Sequence, residues 1–285
     1  MFHIYGCPMH YGVGDKGLIY SLDYLCSNYD TIKIDIVPEL TCAEDNLPNL
    51  KHLNSILATC QNITHKGLHI LRQKKSPLFI AGDHSAVIGS ISASSIYLKE
   101  SLSADLGLIW IDAHPDINTD KTTVSGNIHG MPIAALLGMG ETSLTRIGDN
   151  SQKLKPENIV MLGIRDIDPP EADFLKKLNI RHYTYDDILS KGLSVCLSES
   201  AAYLSHLKGI HLSLDIDSMD PLLMPGVSSP VARGFNKKDI LQMLNAFSCK
   251  MPIIAYDVVE FNHEHDIDNQ TSDFVAEIIN TIIAD

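Results

Sequence analysis

Three short segments of this chain are hydrophobic almost without interruption: residues 77–81 (PLFIA), 106–112 (LGLIWID) and 209–215 (GIHLSLD). A strand with one face in water alternates apolar and polar side chains, whereas a run without clear alternation must be covered on both faces. Segments of helical spacing separate such runs. Leu47, Leu50, Leu53, Leu57 and Cys60 fall three or four residues apart, and so do Ile240, Leu241, Leu244 and Phe247. Phe274, Ile278 and Ile282 predict a helix at the end of the chain. Further strand-like runs lie at 2–6, 31–37, 158–163, 180–184 and 252–259. In 31–37 the isoleucines 32, 34 and 36 alternate, as in a half-exposed strand near a sheet edge. Short strands alternating with helices predict an α/β fold: one doubly wound domain over residues 1–285, with a central, mostly parallel sheet of about eight strands and helices on both faces. No repeat, low-complexity stretch or linker interrupts it.

Composition narrows the partners. The 285 residues carry 22 Lys and Arg against 35 Asp and Glu, a formal charge of −13. That balance argues against nucleic acid or an anionic membrane surface and suits cations or a cationic substrate. No apolar run is long enough to span a bilayer, and the opening MFHIYGCPMH lacks the basic and apolar regions of a signal peptide. The six cysteines form no C-x-x-C pair. In a chain able to build a real core they read as reduced thiols, which predicts a cytoplasmic protein.

The polar residues that matter sit where strands end. Residues 77–81 run into Gly82-Asp83-His84-Ser85, and 106–111 into Asp112-Ala113-His114-Pro115-Asp116-Ile117-Asn118. The run at 158 leads to Arg165-Asp166-Ile167-Asp168, that at 210 to Asp215-Ile216-Asp217, and that at 253 to Glu260. In an open α/β sheet, ligands bind beyond the carboxyl ends of the strands, so these groups converge on one crevice. Alternate positions of extended chain share a face, which collects Asp112, His114 and Asp116, and likewise Asp215 with Asp217. Carboxylates packed so closely repel unless a positive charge lies between them. The nearby basic residues are few, namely Lys121, Arg165 and Arg233. Four carboxylates and two imidazoles without a thiolate favour a hard or borderline ion such as manganese, and a charge of −4 suits two divalent ions. Taken singly, each element has a plainer explanation. A D-x-D is ordinarily a turn or cap, and a strand-end histidine ordinarily a hydrogen-bonded structural residue. The argument rests on their recurrence after buried strands.

GDHS, DAHPDIN, SGNIHG, GIRDIDP, SLDIDSMDP and EFN, in this order, resemble the ureohydrolase family, and within it the arginase branch. The likeness runs from the opening IYGCP to the last helix. It implies the arginase-type α/β fold, two Mn2+ per chain, and hydrolysis of the guanidino group of L-arginine to L-ornithine and urea by water that the two ions activate. By position it implies six metal ligands: His84, Asp112, His114, Asp116, Asp215 and Asp217, with Asp116 and Asp215 bridging the ions. His129 matches a proton shuttle, Glu260 the acid that grips the guanidinium, and Asp116 a proton carrier. Asn118, Ser125 and Asn127 match residues that read the α-carboxylate. Asp168 and Glu171, in Arg165–Glu171, match the loop that reads the α-amino group.

Each of these has an ordinary alternative. Ser125 and Asn127 are common loop residues, Asp168 before Pro169 suits a helix cap, His129 could cap the next helix, and Glu260 could be a surface acid. Some positions depart from the family pattern. Ala81 replaces a glycine before Gly82-Asp83-His84, and His263 replaces a proline after Asn262. Residues 224–230 (MPGVSSP) replace a Thr- and Gly-rich loop, and an N-terminal glycine-rich loop is reduced to residues 12–17. The family commonly assembles as trimers or hexamers, often with a tail beyond the last helix. The chain ends directly after that helix, which predicts a homo-oligomer held by its core surfaces. Two competing functions remain at this point. One is a ureohydrolase acting on agmatine or guanidinobutyrate, and the other is a non-enzymatic arginine- or metal-binding protein of the same fold.

Overall fold

A computed structural model describes residues 1–43 and 47–284. Among these, eight strands form one sheet: β1 (Phe2–Cys7), β2 (Asp35–Ile36), β3 (Ser76–Ala81), β4 (Gly107–Ile111), β5 (Ile159–Ile164), β6 (Arg181–Thr184), β7 (Ile210–Asp215) and β8 (Ile253–Val259). Their spatial order is β2-β1-β3-β8-β7-β4-β5-β6. Every pairing is parallel, so all the carboxyl ends lie on one edge.

Side chains on the central strands alternate between two cores. Phe79, Leu108, Trp110 and Val259 point to one, and Leu78, Ile109, Leu212 and Val258 to the other. The first core is covered by α2 (Leu53–Arg72), α3 (Val87–Leu102) and α4 (Pro132–Leu136). Burial on both faces explains why these strands show no water-facing alternation in the sequence. The second core is closed by α1 (Leu18–Asn28), by the later helices α8 (Leu193–Leu204) and α9 (Lys237–Lys250), and by α10 (Gln270–Ala284). The remaining short helices are α5 (Thr142–Thr145), α6 (Pro169–Leu178) and α7 (Tyr185–Lys191).

Two local expectations change. Only Asp35 and Ile36 of the 31–37 run pair with β1. Ile32 is instead held in a turn by the Tyr29 carbonyl, and Pro38 follows with no N–H to continue a ladder. The strand does lie at the edge of the sheet. The helical pattern from Leu47 begins as helix only at Leu53. Pro48 and the αL conformation of His52 (φ 56°) interrupt it, and the Lys51 amide bonds the Gly126 carbonyl instead.

Candidate metal centre and substrate cleft

Four adjacent strands, β3, β8, β7 and β4, carry the acids and histidines on their carboxyl ends, and β5 adds a fifth loop. His84 opens a single 3-10 turn after β3, and Asp83 caps that turn by accepting from the Ser85 amide. His84 Nδ1 lies 3.1 Å from Asp112 Oδ2, 3.2 Å from Asp116 Oδ2 and 2.9 Å from Asp215 Oδ2. His114 Nδ1 lies 3.5 Å from Asp112 Oδ1 and 3.1 Å from Asp217 Oδ2. The six residues therefore form two ligand triplets, His84–Asp112–Asp215 and Asp112–His114–Asp217, with Asp116 beside His84. Asp112 is common to both triplets, one oxygen facing each histidine, while Asp116 approaches only the first.

The donor set fits divalent cations. His84 Nδ1 and Asp112 Oδ2 are buried and, among the described residues, have no hydrogen-bond partner. Burial and repulsion from Asp217 and Asp112 push Asp215 well above the carboxylate range, and burial raises Asp217 to about 6. Burial opposes charge on both His84 and His114, yet the surrounding carboxylates outweigh it and lift both pKa values. Such a cluster is reconciled by protons or by cations, and imidazoles whose Nδ1 atoms face several carboxylates are suited to bind the latter with them.

Supporting groups fix these ligands. His84 Nε2 lies 3.2 Å from Ser213 Oγ, and its ring stacks on Trp110 at 4.0 Å with 4° between planes. His114 Nε2 faces Asp166 Oδ2 at 3.6 Å, and Trp110 donates to the His114 carbonyl. A second contact to a ligand imidazole sets which nitrogen is left for a metal. Sequence reasoning assigned no role to Ser213, Trp110 or Asp166. The period-2 rule could have found Ser213, two residues before Asp215 on the same strand face. Asp83 was also missed. Fully buried, it takes the Gly12 amide at 2.7 Å, and the Gly12 carbonyl in turn accepts the His129 amide. A Cβ at Gly12 would collide with the Asp83 carboxylate, so this approach requires glycine.

His129 and Glu260 sit together beside the triplets. His129 Nδ1 is 3.4 Å from Glu260 Oε1, which also accepts the His84 amide at 2.9 Å. Glu260 is buried, and its Oε2 has no partner among the described residues. Burial works against the His129 imidazolium, but the hydrogen bond and charge of Glu260, backed by Asp116 and Asp83, raise its pKa to about 8. Asp116 and Glu260 hold positive φ values of 48° and 62°, costly for residues with a Cβ.

Above this floor opens a cleft of about 440 Å3, within the range of small-ligand sites. His114, Asp116 and His129 form its base, and Asn118, Ser125, Asn127, Asp168 and Glu171 line one side. Ser229, Pro230 and Val231 form another. The lining side chains are largely engaged already. Asn118 donates to Asp168 Oδ2 at 3.2 Å and accepts from Thr122 Oγ1 at 2.9 Å. Asn127 accepts from Lys51 Nζ at 3.1 Å and donates to the Val13 carbonyl. Ser125 Oγ accepts the Asn127 amide. Glu171 takes the amides of Ile117 and Asp168, so it ties the loop after β4 to the start of α6. Burial, partly offset by those amides, raises Glu171 to about 7. The structure thus brings every sequence-derived site residue into or directly under one cleft.

Fold and site define an α/β protein with a buried His/Asp cluster suited to metal ions at the carboxyl edge of its sheet. A model of the arginase family matches residues 6–284. The arginase of Bacillus subtilis (strain 168) is 36% identical over 238 residues, covering 84% of this chain and 79% of that protein. The arginase of Staphylococcus aureus (strain MRSA252) is 34% identical over 267 residues, 93% of this chain and 85% of that one. The solved arginase of Bacillus caldovelox superposes with a TM-score of 0.89 at 30% identity, covering 100% of this chain and 98% of the other. The chain belongs to the arginase family.

Proposed function

We propose that this protein hydrolyses L-arginine to L-ornithine and urea with two Mn2+ ions held by His84, Asp112, His114, Asp116, Asp215 and Asp217. The observation that carries this reading is the pair of ligand triplets joined through Asp112, beside a buried Glu260 with one oxygen unpartnered, at the base of a cleft lined by Asp168. Two divalent ions there would neutralise the carboxylates and make water nucleophilic near neutral pH. Glu260 Oε2 pairs with the substrate guanidinium and holds its carbon over the triplets. Water adds to that carbon, and the C–N bond to the departing amine breaks. Asp116 takes the proton that the water gives up and passes it to the amine, which leaves as the side chain of ornithine. His129 exchanges protons between the base of the cleft and its mouth. Asp168 and Glu171 face the α-ammonium, and Asn118, Ser125 and Asn127 the α-carboxylate.

Family membership supports a homo-oligomer, trimer or hexamer. The six cysteines are all free thiols, and among the described residues no helix is long and apolar enough to cross a membrane, which supports a cytoplasmic setting. The test is urea release by Mn-loaded protein from L-arginine, agmatine and guanidinobutyrate in parallel. Efficient release from arginine alone supports the reading. Equal kcat/KM on agmatine leaves only a general ureohydrolase, and no release from any of them leaves a binding protein.

A further inference from the structure

Arg165 follows β5 among three loops, and among the described residues its half-buried guanidinium forms no salt bridge. It donates instead to six backbone carbonyls. Nη1 reaches Gly163 at 3.4 Å and Ser218 at 3.1 Å. Nη2 reaches Asp217 at 2.9 Å, Met219 at 3.2 Å and Val231 at 3.1 Å, and Nε reaches Ala232 at 3.3 Å. Its own amide donates to the Ala113 carbonyl at 2.8 Å. One residue therefore joins the loop after β4, the turn that carries Asp217, and the 231–232 segment.

The three attachments are not equally supported elsewhere. The Asp217 turn has its own bonds: the Asp217 amide to Asp215 Oδ1, and the Phe235 amide to the Ser218 carbonyl. The loop after β4 is tied by Glu171 and by the Asp112 side chain to the His114 amide. Residues 229–231 form a wall of the cleft, and among the described residues the only hydrogen bonds of 229–232 are the two that Val231 and Ala232 accept from Arg165. We infer that Arg165 is a positioning residue that fixes this wall at its distance from the metal-binding turn, and so sets the width of the substrate cleft. A planar fork with five N–H donors can hold both segments in one geometry; a lysine ammonium, with three donors at one point, cannot.

The effect on arginine turnover rests on the proposed function. The experiment compares Arg165→Met and Arg165→Lys with the parent, all Mn-loaded. Steady-state kinetics on arginine, metal content per chain, and the rate of elastase cleavage after Val231 and Ala232 are measured. A looser wall leaves the reacting groups in place but binds substrate less well. KM should rise ~10-fold in the methionine variant and less in the lysine variant, with kcat within about threefold of the parent. Both ions should remain, and cleavage should quicken after Val231 and Ala232 without new cuts in β4 or β7. Unchanged KM and cleavage overturn the proposal. So does a fall in kcat with lost metal, which would assign Arg165 to the Asp217 turn alone, or new cleavage across the whole sheet in both variants. A parent that releases no urea breaks the functional reading, whereas the cleavage comparison still tests the brace.

Discussion

The floor of the site and the rim of the cleft are built on opposite terms. On the floor, His84 Nδ1, Asp112 Oδ2 and Glu260 Oε2 are buried and, among the described residues, have no hydrogen-bond partner. On the rim, side chains are already engaged, as Asn118 and Asn127 are at both ends of their amides. Buried polar groups without partners cost on the order of 1–3 kcal/mol each. In the floor, bound cations and a guanidinium would offset that cost. The rim carries no such deficit, so its residues hold a shape that the substrate must fit or reorganise. Affinity for ions is thus stored in the floor, while discrimination among substrates depends on the frame.

The contrast can be broken most directly at Asp112. If it is the carboxylate common to both ions, Asp112→Ala should lose both and reduce urea release by ~10³-fold or more, since the activating effect on water goes with them. Asp217→Ala, which touches one triplet, should lose one. Equal metal loss in the two variants would remove the special place of Asp112. His129→Ala should keep both ions, because His129 belongs to neither triplet, yet lower turnover by ~10²-fold as a lost acid–base group does. Metal loss there would move His129 into the floor.

The rim is probed by Asp168→Ala. Metal content should hold, KM for arginine should rise by roughly 10-fold, and the preference for arginine over agmatine should narrow. An unchanged preference would mean that the α-ammonium is read elsewhere. The smallest effect is a stability one. The folded pKa of His129 is raised from 6.5 to about 8, so its contribution is fully present below pH 6.5 and disappears as pH rises through 8. In chelated protein the parent should exceed His129→Ala by ~2 kcal/mol at pH 6, converging by pH 9. A gap independent of pH would show that packing, not the Glu260 pair, accounts for it.

The floor was legible in the sequence because each ligand follows an uninterrupted strand, and strand ends share an edge whenever the sheet is parallel. Sharing by Asp112 was not legible, since it depends on which way each carboxylate turns after the strand. Asp168 and Glu171 show a similar limit. Their residue types suit an amino-group reader and a helix start equally, and the structure has Glu171 bonded to the amides of Ile117 and Asp168 while both line the cleft. Arg165 stood in a recognised string, but its acceptors are carbonyls, which leave no trace in side-chain identity. The shortened β2 and the late start of α2 reflect Pro38, Pro48 and the loop contact of Lys51, where local breakers and tertiary bonds override periodicity.

The strand order also sets a schedule. β8 and β7 lie between β3 and β4 in space but follow both in the chain. On a ribosome adding about 5–20 residues per second, β4 emerges at Ile111 roughly 7–30 s before β8 is complete at Val259. Until Asp215 is made β4 lacks its neighbour on that side, until Val259 is made β3 lacks its own, and Asp112 meets neither Asp215 nor Asp217 before the first of these points. Nascent chains should therefore lean on chaperones through the middle of synthesis. They should also be unable to capture metal cooperatively until residues 215–217 have left the tunnel.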